Sequence, residues 1–348
     1  MLCALIMAGG KGTRFWPLST EERPKQFLKL IGNETMIQMT VNRVKPIIPA
    51  ERIFISTVSK YVSLVKEQLP EIPEQNIIIE PEGRNTAPCI TLSSLIIERR
   101  YKNSTMAVLP ADHLIREEEK FRDILLKCNE FLDENKQIIL TLGMKADRPE
   151  TGYGYIKCGK TSLSIDNHKF IKVEKFVEKP ELEMATQYLK EGTYLWNGGM
   201  FLWKTMNIIE QIREYCPQIY EPLKKIRTAK DNEIKELIQN NYSKTEAISI
   251  DYAVLEKSKE IYVVPSDIGW DDIGTWKSVE RYKKKDINNN IIDGNAKVIE
   301  CKSNIALNNE KRVIMIGLED VLTIETEDSI YIINKDRLDK IKDYKNII

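Results

Sequence analysis

Histidine is nearly missing from this sequence: His113 beside Asp112 and His168 in a polar turn are the only two. Neither supports a histidine-built metal centre, and no convincing histidine base emerges. Six cysteines stand at positions 3, 89, 128, 158, 216 and 301, and no two are spaced as CxxC or as a zinc site. They read as reduced thiols, which points to the cytoplasm. Net charge is absent too, since Lys+Arg and Asp+Glu both count 52. That balance gives no electrostatic argument for nucleic acid or an anionic membrane as partner, although local basic groups can still hold a small anion. No stretch of about 18 apolar residues occurs, so no membrane span is expected. Met1–Ala8 is apolar but has no basic leader and runs into Gly9-Gly10. It reads as a buried strand ending in a tight loop, not as a signal peptide. There is no internal repeat of firm period and no low-complexity segment.

What is there is alternation. Through residue 145, short apolar runs (Leu2–Met7, Arg52–Thr57, Asn76–Glu80, Thr105–Leu109, Gln137–Leu142) are separated by segments of helical length such as Thr86–Tyr101 and Glu117–Asn135. This predicts βαβ units and a parallel sheet covered on both faces, with ligands at the carboxyl ends of the strands. From about 150 the pattern changes to half-buried strands at Tyr153–Cys158 and Lys169–Val177. Helices are expected from Glu181, at Lys204–Tyr215 and at Lys230–Asn240, then a strand at Glu260–Val264 and a helix near Gly274–Lys285. The Asn-rich turn Asn288–Asn290 marks a boundary, and the short β-rich runs beyond it predict a small β domain. The expected domains are therefore 1–286 and 287–348.

The first chemical feature is Met7-Ala8-Gly9-Gly10-Lys11-Gly12-Thr13-Arg14 after the first strand. Its glycines allow close backbone approach to an anion, and Arg14 and Lys25 add positive charge. Taken alone, the loop reads equally well as a tight turn. A second glycine match, Gly154 to Thr161, fits GxxxxGK[ST] letter for letter. It lies in a strand-like stretch with no helix to follow, so it reads as chance and not as a phosphate loop.

Asp112, after Leu109-Pro110-Ala111, and Asp272, in Gly269-Trp270-Asp271-Asp272-Ile273-Gly274, are candidate magnesium ligands. Mg²⁺ takes one or two carboxylates and completes its shell with water and phosphate oxygens. An aspartate at such a position can also be a plain helix cap. Glu80, Gly83, Asn85 and Thr86 form a candidate base-reading segment, Glu80-Pro81-Glu82-Gly83-Arg84-Asn85-Thr86. A carboxylate can accept from guanine N1–H and the 2-amine, and an amide can serve O6. Thr86 reads equally as a helix cap. Gly152, Glu178, Lys179, Asn197 and Gly198 could hold a polyol phosphate: the acid and amide on vicinal hydroxyls, the lysine on phosphate, the glycines allowing approach.

Together these motifs resemble the nucleotide-diphospho-sugar pyrophosphorylase family. Ala8 to Ser19 followed by Pro24-Lys25-Gln26 looks like its signature. Several further motifs are similar to its mannose-1-phosphate guanylyltransferase branch. They are Glu80 to Pro88, Leu109-Pro110-Ala111-Asp112-His113, Thr151 to Ile156, Phe176-Val177-Glu178-Lys179-Pro180, Trp196 to Phe201 and Trp270-Asp271-Asp272-Ile273-Gly274. The resemblance runs from residue 8 to 276 in family order. It implies an α/β fold, a Rossmann-like nucleotidyltransferase domain with a small C-terminal left-handed β-helix-like domain. It implies a cytoplasmic homodimer with Mg²⁺ as cofactor, and GTP, mannose 1-phosphate, GDP-mannose and pyrophosphate as small-molecule partners. It places the nucleotide at Ala8, Gly9, Gly10, Gly12, Thr13, Glu80, Gly83, Asn85 and Thr86, and catalytic roles on Arg14, Lys25, Asp112 and Asp272. Relatives often carry a small polar residue where this chain has Asp271, which leaves open a competition with Asp272 for metal. The chain lacks the sugar-phosphate isomerase module of some longer relatives, so a monofunctional enzyme is expected.

The chemistry expected is in-line attack of a sugar phosphate oxygen on the α-phosphorus of GTP. A phosphate monoester is largely dianionic at pH 7, its second pKa being about 6, so no general base is needed. The alternatives are the same chemistry on another hexose or heptose 1-phosphate, and a catalytically silent subunit that senses GDP-mannose.

Overall fold

The computed structural model describes residues 1–344 and Ile347; residues 345, 346 and 348 of the expected C-terminal domain lie outside the described residues. Contacts group the chain into two units, the first made of Met1–Gly9, Thr40–Ala111 and Ile115–Trp270. The second gathers Gly10–Met39, Asp112–Leu114 and the chain from Asp271 onward.

The first unit is built on nine strands: β1 Leu2–Met7, β2 Ile53–Val58, β3 Ile77–Glu80, β4 Thr105–Pro110, β5 Ile139–Lys145, β6 Tyr155–Ile165, β7 His168–Val177, β8 Tyr194–Lys204 and β9 Ile261–Ser266. They form one sheet in the order β3-β2-β1-β4-β8-β5-β9-β7-β6. The apolar runs read as strands are strands, and β3, β2, β1 and β4 pair in parallel as the βαβ alternation implies. The all-parallel expectation fails beyond β4. There β8 inserts between β4 and β5 and runs antiparallel to both. Local alternation cannot reveal a strand that arrives from far downstream, and β8 wins the place because its Met200 to Trp203 stretch is apolar enough to be buried centrally.

Helix Thr86–Arg100 has an uninterrupted buried stretch from Ala87 to Glu98. Its periodicity is accordingly weak, as in a helix enclosed by protein on all sides. Ile90, Leu95 and Ile97 join Leu5, Phe54, Val108, Ile139, Phe201 and Trp203 in one apolar cluster, with Ile208 and Ile212 of helix Thr205–Tyr215. The segment that matches GxxxxGK[ST] lies in β6, paired antiparallel with β7. Lys160 is exposed on that strand, with no helix opening after it.

The second unit has its own core, in which Phe15, Trp16, Leu30 and Met36 pack with Leu114, Ile273, Trp276, Ile291, Ile305 and Leu322. The rings of Phe15 and Trp276 meet edge to face at 5.2 Å. Its sheet has the order β10-β11-β12-β13, with β10 Ile291–Ile299, β11 Ile305–Ile316, β12 Val321–Glu325 and β13 Ile330–Asn334. The first three are parallel and β13 closes antiparallel on β12. Buried asparagines tie the turns. Asn304 N–H donates to Asn290 Oδ1, 14 residues back, at 3.0 Å, and Val321 N–H donates to Asn304 Oδ1, 17 residues back, at 2.8 Å. Among the described residues no helix is long and apolar enough to cross a membrane.

Candidate active site

The expected site residues fall into two groups, one in each unit. In the second unit, Gly12 begins the short helical turn Thr13–Phe15 in the left-handed region, at φ 44°. This glycine is required twice over. A Cβ there would lie 2.7 Å from the Lys25 backbone nitrogen, and the Gly12 carbonyl accepts from that same N–H at 3.2 Å. Gln26 closes the loop by donating its side-chain N–H to the Gly10 carbonyl at 2.9 Å. Gly10, by contrast, has open space where a Cβ would stand.

The loop thereby fixes Lys25, whose side chain is 5% exposed. Its Nζ donates to Asp112 Oδ2 at 2.8 Å and to the backbone carbonyl of Asp272 at 2.5 Å. Arg14 Nη1 stands 3.8 Å from Asp272 Oδ2. Two basic and two acidic residues, Arg14, Lys25, Asp112 and Asp272, are thus brought together from distant parts of the sequence. Burial pushes the Asp112 carboxyl up, but the charge and hydrogen bond of Lys25, with His113 and Arg14 nearby, outweigh it and hold the carboxyl below its ordinary value. Asp112 is therefore anionic at neutral pH, as a metal ligand must be.

Asp271 and Asp272 differ in burial and in partners. Asp271 is 4% exposed. It accepts from Ile273 N–H at 2.8 Å, from Arg281 Nη2 at 2.5 Å and from Tyr282 OH at 3.0 Å. Its oxygens are spent on holding the turn in which Ile273 takes φ 44°. Asp272 keeps a partly exposed carboxylate, and Gly274 is what leaves it room: a Cβ there would lie 2.8 Å from Asp272 Oδ2. Asp112 and Asp272 thus offer hard oxygen donors that fit magnesium. Among the described residues no group of three or more His, Cys, Asp or Glu side chains could hold a metal by itself. A two-carboxylate set is what Mg²⁺ uses when phosphates supply the rest.

In the first unit, Glu80 ends β3 at 3% exposure. Ser56 Oγ donates to its Oε1 at 3.0 Å and Tyr242 OH to its Oε2 at 2.5 Å. Burial raises this carboxyl above its usual range, against the opposing effect of those two hydrogen bonds. Gly9 lies against this carboxyl, since a Cβ there would stand 3.2 Å from Glu80 Oε1. Ala8 is tied to β2, donating to the Ser56 carbonyl at 2.7 Å and accepting from Thr57 Oγ1 at 3.0 Å. Asn85, at φ 67°, caps helix Thr86–Arg100 by accepting from Thr86 N–H at 2.8 Å. Its amide oxygen is committed to the helix, leaving N–H donors for a carbonyl such as guanine O6. Thr86 is not the cap; its hydroxyl accepts from Ile250 N–H at 2.8 Å. Gly83 is exposed with no neighbour near its absent side chain.

Also in the first unit, Asn197 N–H donates to the Gly154 carbonyl at 2.8 Å. A Cβ on Gly154 would lie 2.6 Å from Glu178 Oε2 and 3.4 Å from Asn197 Cβ. Glu178 pairs with the exposed ammonium of Lys179 at 2.7 Å. Gly198 packs against Met144 and Met200, and Gly152 donates to Glu150 at 3.1 Å. Sequence reasoning missed Ser56, Tyr242 and Asp251. Ser56 and Tyr242 carry no local signal. Asp251, in Ser249-Ile250-Asp251-Tyr252, lies between the expected helix and strand in a stretch that carries no motif.

The family model for nucleotidyl transferases matches residues 3–289. The chain belongs to the nucleotidyl transferase family. Along 98% of its length it is 36% identical to a mannose-1-phosphate guanylyltransferase of Klebsiella pneumoniae, covering 73% of that protein. It is also 36% identical to the xanthan biosynthesis protein XanB of Xanthomonas campestris, over 97% of this chain and 71% of that one. The crystal structure of a mannose-1-phosphate geranyltransferase from Thermus thermophilus superposes with a TM-score of 0.86 at 29% identity, over 99% of this chain and 98% of the other. The nine-stranded mixed sheet with a second, smaller sheet is therefore the α/β nucleotidyltransferase fold of this family.

Proposed function

We propose that this protein is a magnesium-dependent mannose-1-phosphate guanylyltransferase, forming GDP-mannose and pyrophosphate from GTP and mannose 1-phosphate. The observation that carries this reading is the 36% identity to the Klebsiella pneumoniae enzyme along 98% of the chain. The Lys25–Asp112 and Arg14–Asp272 pairs are supporting geometry. Asp112 and Asp272 would hold Mg²⁺, which supplies charge neutralisation on the phosphates. Arg14, the Gly9, Gly10, Gly12 and Thr13 backbone and Lys25 bind and orient the triphosphate, with Arg14 answering the charge that develops on pyrophosphate. Lys25, held by Asp112 after the Gly12 turn, would contact the α-phosphate. Ala8, Glu80, Gly83, Asn85 and Thr86 form the base and ribose side, with Glu80 and Asn85 reading guanine. Glu178 and Asn197 take sugar hydroxyls, Gly152 and Gly198 line the approach, and Lys179 exchanges Glu178 for the sugar phosphate. No residue needs to remove a proton from the nucleophile, whose second pKa of about 6 leaves it dianionic at neutral pH.

The same reading makes residues 1–286 the catalytic part and 287–348 a C-terminal left-handed β-helix-like domain in a cytoplasmic homodimer. The parallel β10, β11 and β12 with stacked asparagines support the β-helix part of it. The deciding experiment is pyrophosphate release with Mg²⁺ across four nucleotides, with and without mannose 1-phosphate. Release confined to GTP with mannose 1-phosphate upholds the proposal. Release with another hexose or heptose 1-phosphate moves the substrate, and binding of GDP-mannose without any release points to a sensing subunit.

A further inference from the structure

Asn197 is more constrained than a surface amide waiting for a sugar. Its Oδ1 accepts from Gly199 N–H at 3.1 Å and faces Thr141 Oγ1 at 3.4 Å. Those partners force its Nδ2 the other way, where it donates to Asp251 Oδ1 at 3.0 Å. One amide donor is thereby used and one is left. Asp251 opens the wide helical turn Asp251–Leu255, a distortion that often accompanies functional positions because it re-aims one side chain. On the facing strand end, Glu178 acts on the Asp251 carboxyl electrostatically. Gly154 is the reason these groups can share a space, since any side chain there would strike Glu178 and crowd Asn197. The result is the Glu178 carboxylate and the Asn197 amide beside a glycine, with the Asp251 carboxylate bonded to that amide, which is the chemistry of vicinal hydroxyl recognition.

Resting on the guanylyltransferase reading, we propose that Asp251 is a further sugar-positioning residue: it fixes the Asn197 amide and offers its own second oxygen to a hydroxyl of the hexose. Neither task involves the reacting phosphates, so its effect falls on sugar affinity and not on the nucleotide.

The pH dependence follows from the groups facing it. Burial and the Glu178 carboxylate push the Asp251 carboxyl up to about 6, while its backbone N–H, Asn197 and Lys179 pull it down. A hydroxyl donates best to the ionised form. Sugar-dependent affinity is therefore complete above that value and lost as the pH falls through it, by about tenfold one unit below. Mannose 1-phosphate itself titrates near pH 6, its second pKa being about 6, so the probe must be GDP-mannose, whose pyrophosphate diester does not.

The test is equilibrium binding of GDP-mannose and of GDP to wild type, Asp251→Asn and Asp251→Ser between pH 5 and 8. The asparagine preserves shape and the serine keeps a hydrogen-bonding group for Asn197. The expected result at pH 7.5 is at least tenfold weaker GDP-mannose binding by Asp251→Asn, with GDP binding unchanged and with the acid loss of affinity seen in wild type flattened. Equal GDP-mannose affinity in wild type and both variants overturns the proposal. Parallel loss of GDP and GDP-mannose binding overturns it too, because that is the mark of a purely structural residue. If wild type binds GDP but gains nothing from the mannosyl group, the substrate reading fails instead. The same comparison with the sugar nucleotide it does prefer then decides the role of Asp251.

Discussion

Replacing Lys25 by alanine tests the centre of the proposed chemistry and can be worked through from the structure. The ammonium is 5% exposed and touches Asp112, whose side chain is 34% exposed. Breaking a fully buried ion pair costs about 3–5 kcal/mol, because the remaining charge is stranded. Asp112 can recover part of its hydration, so the expected loss is smaller, about 1–3 kcal/mol. The pH dependence has a definite sign. Asp112 is held below the ordinary carboxylate value by Lys25. Its contribution is therefore complete above the unfolded value of about 3.9 and is lost as the pH falls through the lower folded value. Urea unfolding at pH 7 should show the full gap between wild type and Lys25→Ala, and the gap should narrow below about pH 4. Turnover should fall further than stability does, by about 10²–10³-fold at saturating substrates, since a preorganised cation at the reacting phosphate is lost. An unfolding gap equally large at pH 3 and pH 7 would refute the ion-pair account. Turnover within a few-fold of wild type would refute the catalytic one.

Further substitutions separate structural from chemical roles. Asp272→Asn should abolish most turnover at saturating Mg²⁺ while leaving the melting temperature near wild type. Asp271→Asn should do the reverse, costing about 1.5–3 kcal/mol through its buried bonds to Arg281 and the Ile273 turn; metal titration that tracks Asp271 instead would exchange their assignments. Gly12→Ala should destabilise by about 1–3 kcal/mol and displace Lys25, since the residue combines φ 44° with a Cβ 2.7 Å from the Lys25 nitrogen; a wild-type melting curve and kcat would show that the loop yields. Lys160→Ala should leave pyrophosphate release within a few-fold of wild type, and a loss as deep as that of Lys25→Ala would revive a phosphate-binding role for Gly154 to Thr161.

Much of this molecule was determined by sequence alone, because its signals are local. Short runs such as Leu2–Met7 are strands, since contiguous apolar residues of that length between glycines and polar turns have few other uses. The helix after Asn85 starts where the Gly83–Asn85 turn ends. The order of motifs from Ala8 to Gly274 identified the family, because each phosphate, base or sugar contact needs particular residue types close together in the chain. Tertiary structure decided the rest. It seated β8 between β4 and β5, against the parallel sheet that the alternation implied. It buried Asp271 under Arg281 and Tyr282 and set the Asp272 carboxylate beside Arg14. It gave Glu80 to Ser56 and Tyr242, and Asn197 to Asp251. The separations in sequence run from 10 residues for Asp271 and Arg281 to 162 for Glu80 and Tyr242. A side chain's protonation and orientation depend on neighbours supplied by the fold, and nothing in the flanking residues records which neighbours those will be.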